Sequence, residues 1–184
     1  MRHLVNITER RGDWLQTFTG KQFWPLDPHP DDIDIRDIAH ALANTCRFNG
    51  HCLRFYSVAE HSVAVAENVP LEHRLTALLH DAAEAYLADV PRPVKPYLSG
   101  YKDIERQLDE CIAEKFGLAY PWPDAVHEVD NRILADEQVQ LMTIAPAEWA
   151  LPRPPLGVDL PHWSPREAEV AFACMYEKLS GVSA

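Results

Sequence analysis

Between Ile35 and Cys46 the apolar residues Ile35, Ile38, Ala39, Leu42, Ala43 and Cys46 recur at i, i+3, i+4, i+7, i+8 and i+11, which lines one face of an α-helix and no face of a strand. Arg47-Phe48-Asn49-Gly50 ends this helix, with Gly50 as the expected cap. The period then returns along the chain. Ser57-Val58-Ala59-Glu60 opens a second helix as a capping box, which sets His61 in its first turn. Leu75, Leu78, Leu79, Ala82 and Tyr86 share a face of a third, from about Leu71 to near Val90, where Pro91 and Pro93 stop it. Ile104, Leu108, Cys111, Ile112 and Phe116 carry a fourth, ended by Gly117; Val126, Val129, Ile133 and Leu134 carry a fifth from near Pro123. The box Ser164-Pro165-Arg166-Glu167 opens the last, on Ala168, Ala171, Phe172, Met175 and Leu179. The expected fold class is an all-α helical bundle with irregular ends.

Those ends are expected to be a short hairpin around Thr19-Gly20-Lys21 and a proline-rich stretch, IAPAEWALPRPPLGVDLPHW, too broken for a helix and expected to lie extended over the bundle. At 184 residues the chain reads as one domain: an N-terminal extension over 1–33, a helical core over 34–145, and the proline-rich segment with the final helix over 146–184. With 17 basic against 28 acidic residues the net charge is -11, which argues against duplex nucleic acid or an anionic membrane as partner. No apolar run reaches the roughly 20 residues of a bilayer span, and no secretory segment is read after Met1, so a soluble cytoplasmic protein is expected. Cys46, Cys52, Cys111 and Cys174 lack metal-site spacing and read as idle or buried thiols.

Chemistry enters through ALLHDAAEAYLADV, where an apolar helix interrupts itself with His80-Asp81 and then Glu84, at i+4 and i+3 from them. A carboxylate on a buried face is costly unless a cation or metal holds it ionised. Taken alone, the His-Asp pair reads as a solvated helix rim. His61 on the preceding helix and Asp130 on the fifth complete a set of two imidazoles and two carboxylates, which suits a divalent transition ion with positions left for water and substrate. Asp136 competes with Asp130 should the helix register differ. His40 reads as a half-buried structural imidazole and His73 as solvated; His127 is a further competitor, and His51, beside the Gly50 turn, is kept as a substrate contact.

This order, His61, then His80-Asp81, then Asp130 on successive helices, resembles the HD-domain metal-dependent phosphohydrolases, over roughly residues 35–140. SVAEHSVAVA and ALLHDAAEAYLADVPRPVK are similar to the bacterial 5'-deoxynucleotidase branch, and DIAHALANTCRFNGHCLRFYSVAEHS to phage and prophage members, which include dATP-type triphosphohydrolases. The resemblance implies that His61, His80, Asp81 and Asp130 hold the metal, that Glu84 orients or deprotonates the attacking water, and that Asp89 lies near the leaving-group oxygen or sugar and serves as general acid. It implies phosphate contacts from Arg47 and Lys95. Arg47 read as a mere helix cap, Lys95 as a solvated loop lysine and Asp89 as a helix-end residue are the plain alternatives. Phe48, Trp24 and Pro93 can pack against a base.

The implied activity is hydrolysis of a 2'-deoxyribonucleoside 5'-monophosphate to deoxynucleoside and phosphate. One alternative is a dNTP triphosphohydrolase releasing triphosphate; another is an HD domain that binds a nucleotide without turnover. The implied cofactor is Co, Mn, Zn or Fe, or Mg with a triphosphate, and the implied assembly a homo-oligomer, dimer or higher.

Overall fold

The computed structural model describes residues 10–182; the expected lack of a secretory segment falls largely on residues 1–9 and so lies outside the described residues. A two-stranded antiparallel hairpin, β1 (Leu15–Gln16) and β2 (Gln22–Phe23), pairs Leu15 with Phe23 and Gln16 with Gln22. Its turn is fastened to the first helix, α1 (Ile35–Asn44), because Asp37 accepts hydrogen bonds from the Thr19 amide (2.6 Å) and hydroxyl (2.9 Å). Phe23, wholly buried, stacks on Tyr86 at 3.9 Å between ring centroids. The hairpin thereby anchors the segment that carries the His-Asp pair.

The helices that follow are α2 (Val58–Asn68), α3 (Arg74–Leu79), α4 (Glu84–Leu87), α5 (Tyr101–Phe116), α6 (Asp124–Leu141) and α7 (Pro165–Ser180), and the fold class is all-α as expected. α2 is the central one, packed against α1, α3, α6 and α7. Every residue from Val58 to Ala66 is buried, Glu60, His61 and Ser62 included, which is the environment of a helix enclosed on all sides. No helix among the described residues is long and apolar enough to cross a membrane.

Three local expectations are corrected. α1 ends at Asn44 with Thr45 as its cap, and Arg47–Gly50 forms a separate turn in which Phe48 (φ 56°), Asn49 (φ 50°) and Gly50 (φ 75°) are all left-handed. Gly50 therefore serves this turn and does not cap α1. At the start of α2 the Ser57 hydroxyl does accept from the Glu60 amide (3.1 Å), but the Glu60 carboxylate turns away from Ser57 and accepts from the amides of His162 (2.6 Å) and Trp163 (3.1 Å). Burial pushes its carboxyl up to about 7 against those two bonds. The third helix is not continuous: after α3 the chain tightens, with Ala82, Glu84, Ala85 and Tyr86 each donating to the carbonyl three residues back. α4 then stops at Ala88, whose φ of 68° breaks the helix before the prolines do.

The proline-rich segment lies extended over the bundle as expected, and buried and half-buried side chains supply the partners its backbone lacks. Asp136 accepts from the Leu156 and Gly157 amides (2.8 Å each), Gln140 brackets Val158 and Leu160, and Glu60 takes the two amides named above. The capping box of Ser164 and Glu167 opens α7 as expected.

Candidate metal centre

The four expected ligands come from three places: His61 from the first turn of α2, His80 and Asp81 from the tightened turn between α3 and α4, and Asp130 from α6. They meet. One ligand atom each of His61, His80 and Asp130 lies within 4.8 Å of the others, a cluster able to hold a metal ion. Asp130 Oδ1 is 3.3 Å from His61 Nε2, and Asp81 Oδ2 is 3.3 Å from His80 Nε2 and 3.5 Å from His61 Nε2. Donors bound at about 2.1 Å to one ion sit roughly 3 to 3.5 Å apart, so the spacing fits.

The unsatisfied atoms point the same way. His61 Nε2 and His80 Nε2 are buried with no hydrogen-bond partner among the described residues, although such atoms are normally paired. Each ring is oriented from its other nitrogen. His80 Nδ1 donates to the Ala77 carbonyl at 2.7 Å, and His61 Nδ1 lies 2.6 Å from Glu137 Oε1. A partner on Nδ1 turns the Nε2 lone pair toward a metal.

Electrostatics follow from that crowding. Burial and Arg47 push His61 down, but Glu137 and Asp130 outweigh them and carry it up to about 9. Burial opposes ionisation of Asp81 and Asp130, yet the two imidazoles hold both below the usual carboxylate range. Ligands must shed protons for a metal, so His61 would have to give up its Nε2 proton to bind one.

Glu84 lies beside this set, its Oε2 buried and unpartnered among the described residues, and burial followed by the charges of Asp81 and Asp89 raises it well above an ordinary glutamate. Arg47 is buried with Nε and Nη2 on Glu137 Oε2 (3.2 and 2.9 Å) and Nη1 3.8 Å from Asp81. Burial works against its charge; Glu137, Asp89 and Asp81 outweigh it. Its guanidinium lies 5.5 Å from the Phe48 ring centre, and Phe48 faces Trp149 at 6.1 Å. Lys95 is half-buried, 2.8 Å from Glu105 and 3.8 Å from Glu84.

Other expected residues fall away from the cluster. The register question resolves for Asp130, since Asp136 holds the proline-rich segment. His51 and His127 are exposed, and so is Pro93. Trp24 is buried under the Arg10 guanidinium at 4.4 Å, and His40 stacks on Phe18 at 3.8 Å. Cys46 and Cys52 are free thiols 3.7 Å apart.

Two residues were missed by sequence reasoning. Glu137 is seven residues beyond Asp130 on the buried face of α6, so a second acidic residue at a two-turn spacing was a readable signal. Arg92, whose Nη2 is 2.9 Å from Asp130 Oδ2 and whose Nη1 donates to Asn131, gave none beyond its charge.

No family model matches the chain. Over 128 residues it is 44% identical to the uncharacterized protein YfdR of Escherichia coli (strain K12), a stretch covering 70% of this chain and 72% of YfdR. The chain belongs to the YfdR family. The family likeness extends further along the chain in an uncharacterized protein of Rhodobacter capsulatus, 35% identical over 187 aligned residues that cover 90% of this chain and 95% of that one. These members of the YfdR family establish kinship and carry no activity in their names.

Proposed function

We propose that the chain is an HD-domain phosphohydrolase that uses one divalent metal to hydrolyse 2'-deoxyribonucleoside 5'-monophosphates. The observation that carries the proposal is the convergence of His61, His80 and Asp130, with Asp81 beside both imidazoles, and two buried imidazole nitrogens left unpartnered among the described residues. An ion in that position would be held by these four residues and, when bound, would polarise a phosphoryl oxygen and acidify water.

The chain's own groups divide the remaining work. Arg47, fixed from behind by Glu137, keeps Nη1 turned toward Asp81, where a phosphate oxygen can take it. Glu84 receives the proton of the attacking water at Oε2, and burial raises the affinity of this carboxylate for a proton. Asp89 is assigned as the general acid that gives the leaving sugar oxygen its proton as the P–O bond breaks. Lys95 adds positive charge next to Glu84, and the Phe48–Trp149 pair gives an apolar wall for the nucleoside. His51, exposed, is left without a role.

A second reading, triphosphate release from a dNTP, is favoured by one observation: Arg92 adds a cation at the rim, hydrogen-bonded to Asp130. The test is a panel of deoxy- and ribonucleotides at each phosphorylation level with Co, Mn, Zn, Fe and Mg, both products being identified. Deoxynucleoside with orthophosphate supports the main reading and intact triphosphate the second; no turnover with bound nucleotide would leave a non-catalytic domain. Self-association, part of the same proposal, is read by light scattering.

A further inference from the structure

Glu137 is wholly buried, and its two oxygens are divided between two different parts of the site. Oε1 lies 2.6 Å from His61 Nδ1; Oε2 accepts from Arg47 Nη2 at 2.9 Å and Nε at 3.2 Å. The His61 side chain is wholly buried and that of Arg47 nearly so, so water is a poor replacement for this carboxylate. Glu137 sits on α6, the helix that also supplies Asp130. One rigid element therefore presents a metal ligand directly and orients a second ligand and a guanidinium through one side chain.

We infer that Glu137 is a positioning residue that joins the metal ligand His61 to the oxyanion-binding Arg47, so that the ion and a phosphate group are held through one shared carboxylate. The inference rests on the metal-centre reading above. On the His61 side, a carboxylate on Nδ1 fixes the proton there and leaves Nε2 as donor to the ion, an arrangement whose loss ordinarily weakens metal binding about 10- to 100-fold. On the Arg47 side, Nε and Nη2 are taken up behind the site, which leaves Nη1 as the edge facing Asp81. An amide in place of the carboxylate removes the negative charge that strengthens both contacts and brings an NH₂ group against one of the two donors, so both contacts weaken and one of them must fail.

The test measures Co²⁺ binding by calorimetry and by its visible absorption, followed by orthophosphate binding to the Co²⁺-loaded protein. Glu137→Gln is expected to lose about 10- to 100-fold in Co²⁺ affinity and about tenfold or more in orthophosphate affinity, the value of a charge-assisted hydrogen bond. Arg47→Met is expected to lose the orthophosphate and keep the Co²⁺. Should Glu137→Gln fail to fold, Arg47→Met/Glu137→Met removes the buried pair together, an exchange that cores tolerate, and its Co²⁺ affinity is expected to fall as in Glu137→Gln. Wild-type Co²⁺ affinity in a folded Glu137 variant overturns the inference. So does a His61 protonated at Nε2 in the Zn²⁺-loaded protein, read by ¹⁵N NMR. A wild-type chain that binds neither Co²⁺ nor Zn²⁺ overturns the metal-centre reading instead.

Discussion

The Glu84 amide donates to the Asp81 carbonyl at 3.0 Å, closing a three-residue turn between a metal-ligand candidate and the carboxylate proposed as base. In such a turn the side chains at i and i+3 eclipse, so Asp81 and Glu84 project to the same side. Their nearness, after burial, is what raises Glu84. Glu84→Gln keeps the shape and removes the proton acceptor. It is expected to retain metal and fold while turnover falls about 10²- to 10⁴-fold, measured as steady-state release of phosphate. A wild-type rate would take Glu84 out of the mechanism.

Asp81 sits at the contact of both imidazole Nε2 atoms, at 3.3 and 3.5 Å, with Arg47 at 3.8 Å. Asp81→Ala is expected to lose both bound metal and activity, since it deletes an anionic ligand from a set of four. Metal content after dialysis, measured by plasma emission against a loaded wild type, checks it. Full retention of metal would remove Asp81 from the ligand set.

How much of this was legible differs by residue. The starts and stops at Gly117 and Ser164 depend on local chemistry, and the helices there agree with the expectation. The break after α3 was hidden because Leu78, Leu79, Ala82 and Tyr86 keep their apolar spacing through it; the hydrogen-bond pattern changes while the buried face does not. Glu60 shows the opposite limit. A glutamate three residues after a serine has a local partner available, but the half-buried backbone of His162 and Trp163, a hundred residues away, claims it. The four ligand candidates were legible because His80-Asp81 interrupts an apolar helix and because the order His61, His80-Asp81, Asp130 resembles a known metal-site motif. Glu137 was passed over because an acidic residue on a long helix ordinarily faces water.

The Asp136 carboxylate offers a way to loosen the proline-rich segment without touching the metal set. It is buried and accepts two amides of that segment. Asp136→Ala leaves both amides without their partner, at a cost of about 1 to 3 kcal/mol each where water cannot reach. A lower urea midpoint with Co²⁺ stoichiometry unchanged is expected. Loss of Co²⁺ in a folded Asp136→Ala would mean that the segment is needed to shape the metal centre.

Asp109, on the buried side of α5, predicts a pH dependence of stability. Its Oδ1 has no hydrogen-bond partner among the described residues, and burial, followed by the charges of Glu105 and Asp81, pushes its carboxyl up to about 8 from an ordinary 3.8. Between those two values the folded chain keeps a proton that the unfolded chain has lost. Its contribution to stability is thus fully present below about pH 4 and is lost as pH rises to about 8, at a rate of up to about 1.4 kcal/mol per pH unit for one proton. Asp109→Asn has nothing to ionise, so it is expected to flatten this part of the profile and to gain on the wild type as the pH rises. Urea unfolding of both proteins from pH 5 to pH 9 measures the difference. Parallel profiles would show that Asp109 ionises in the folded protein as readily as in the unfolded one.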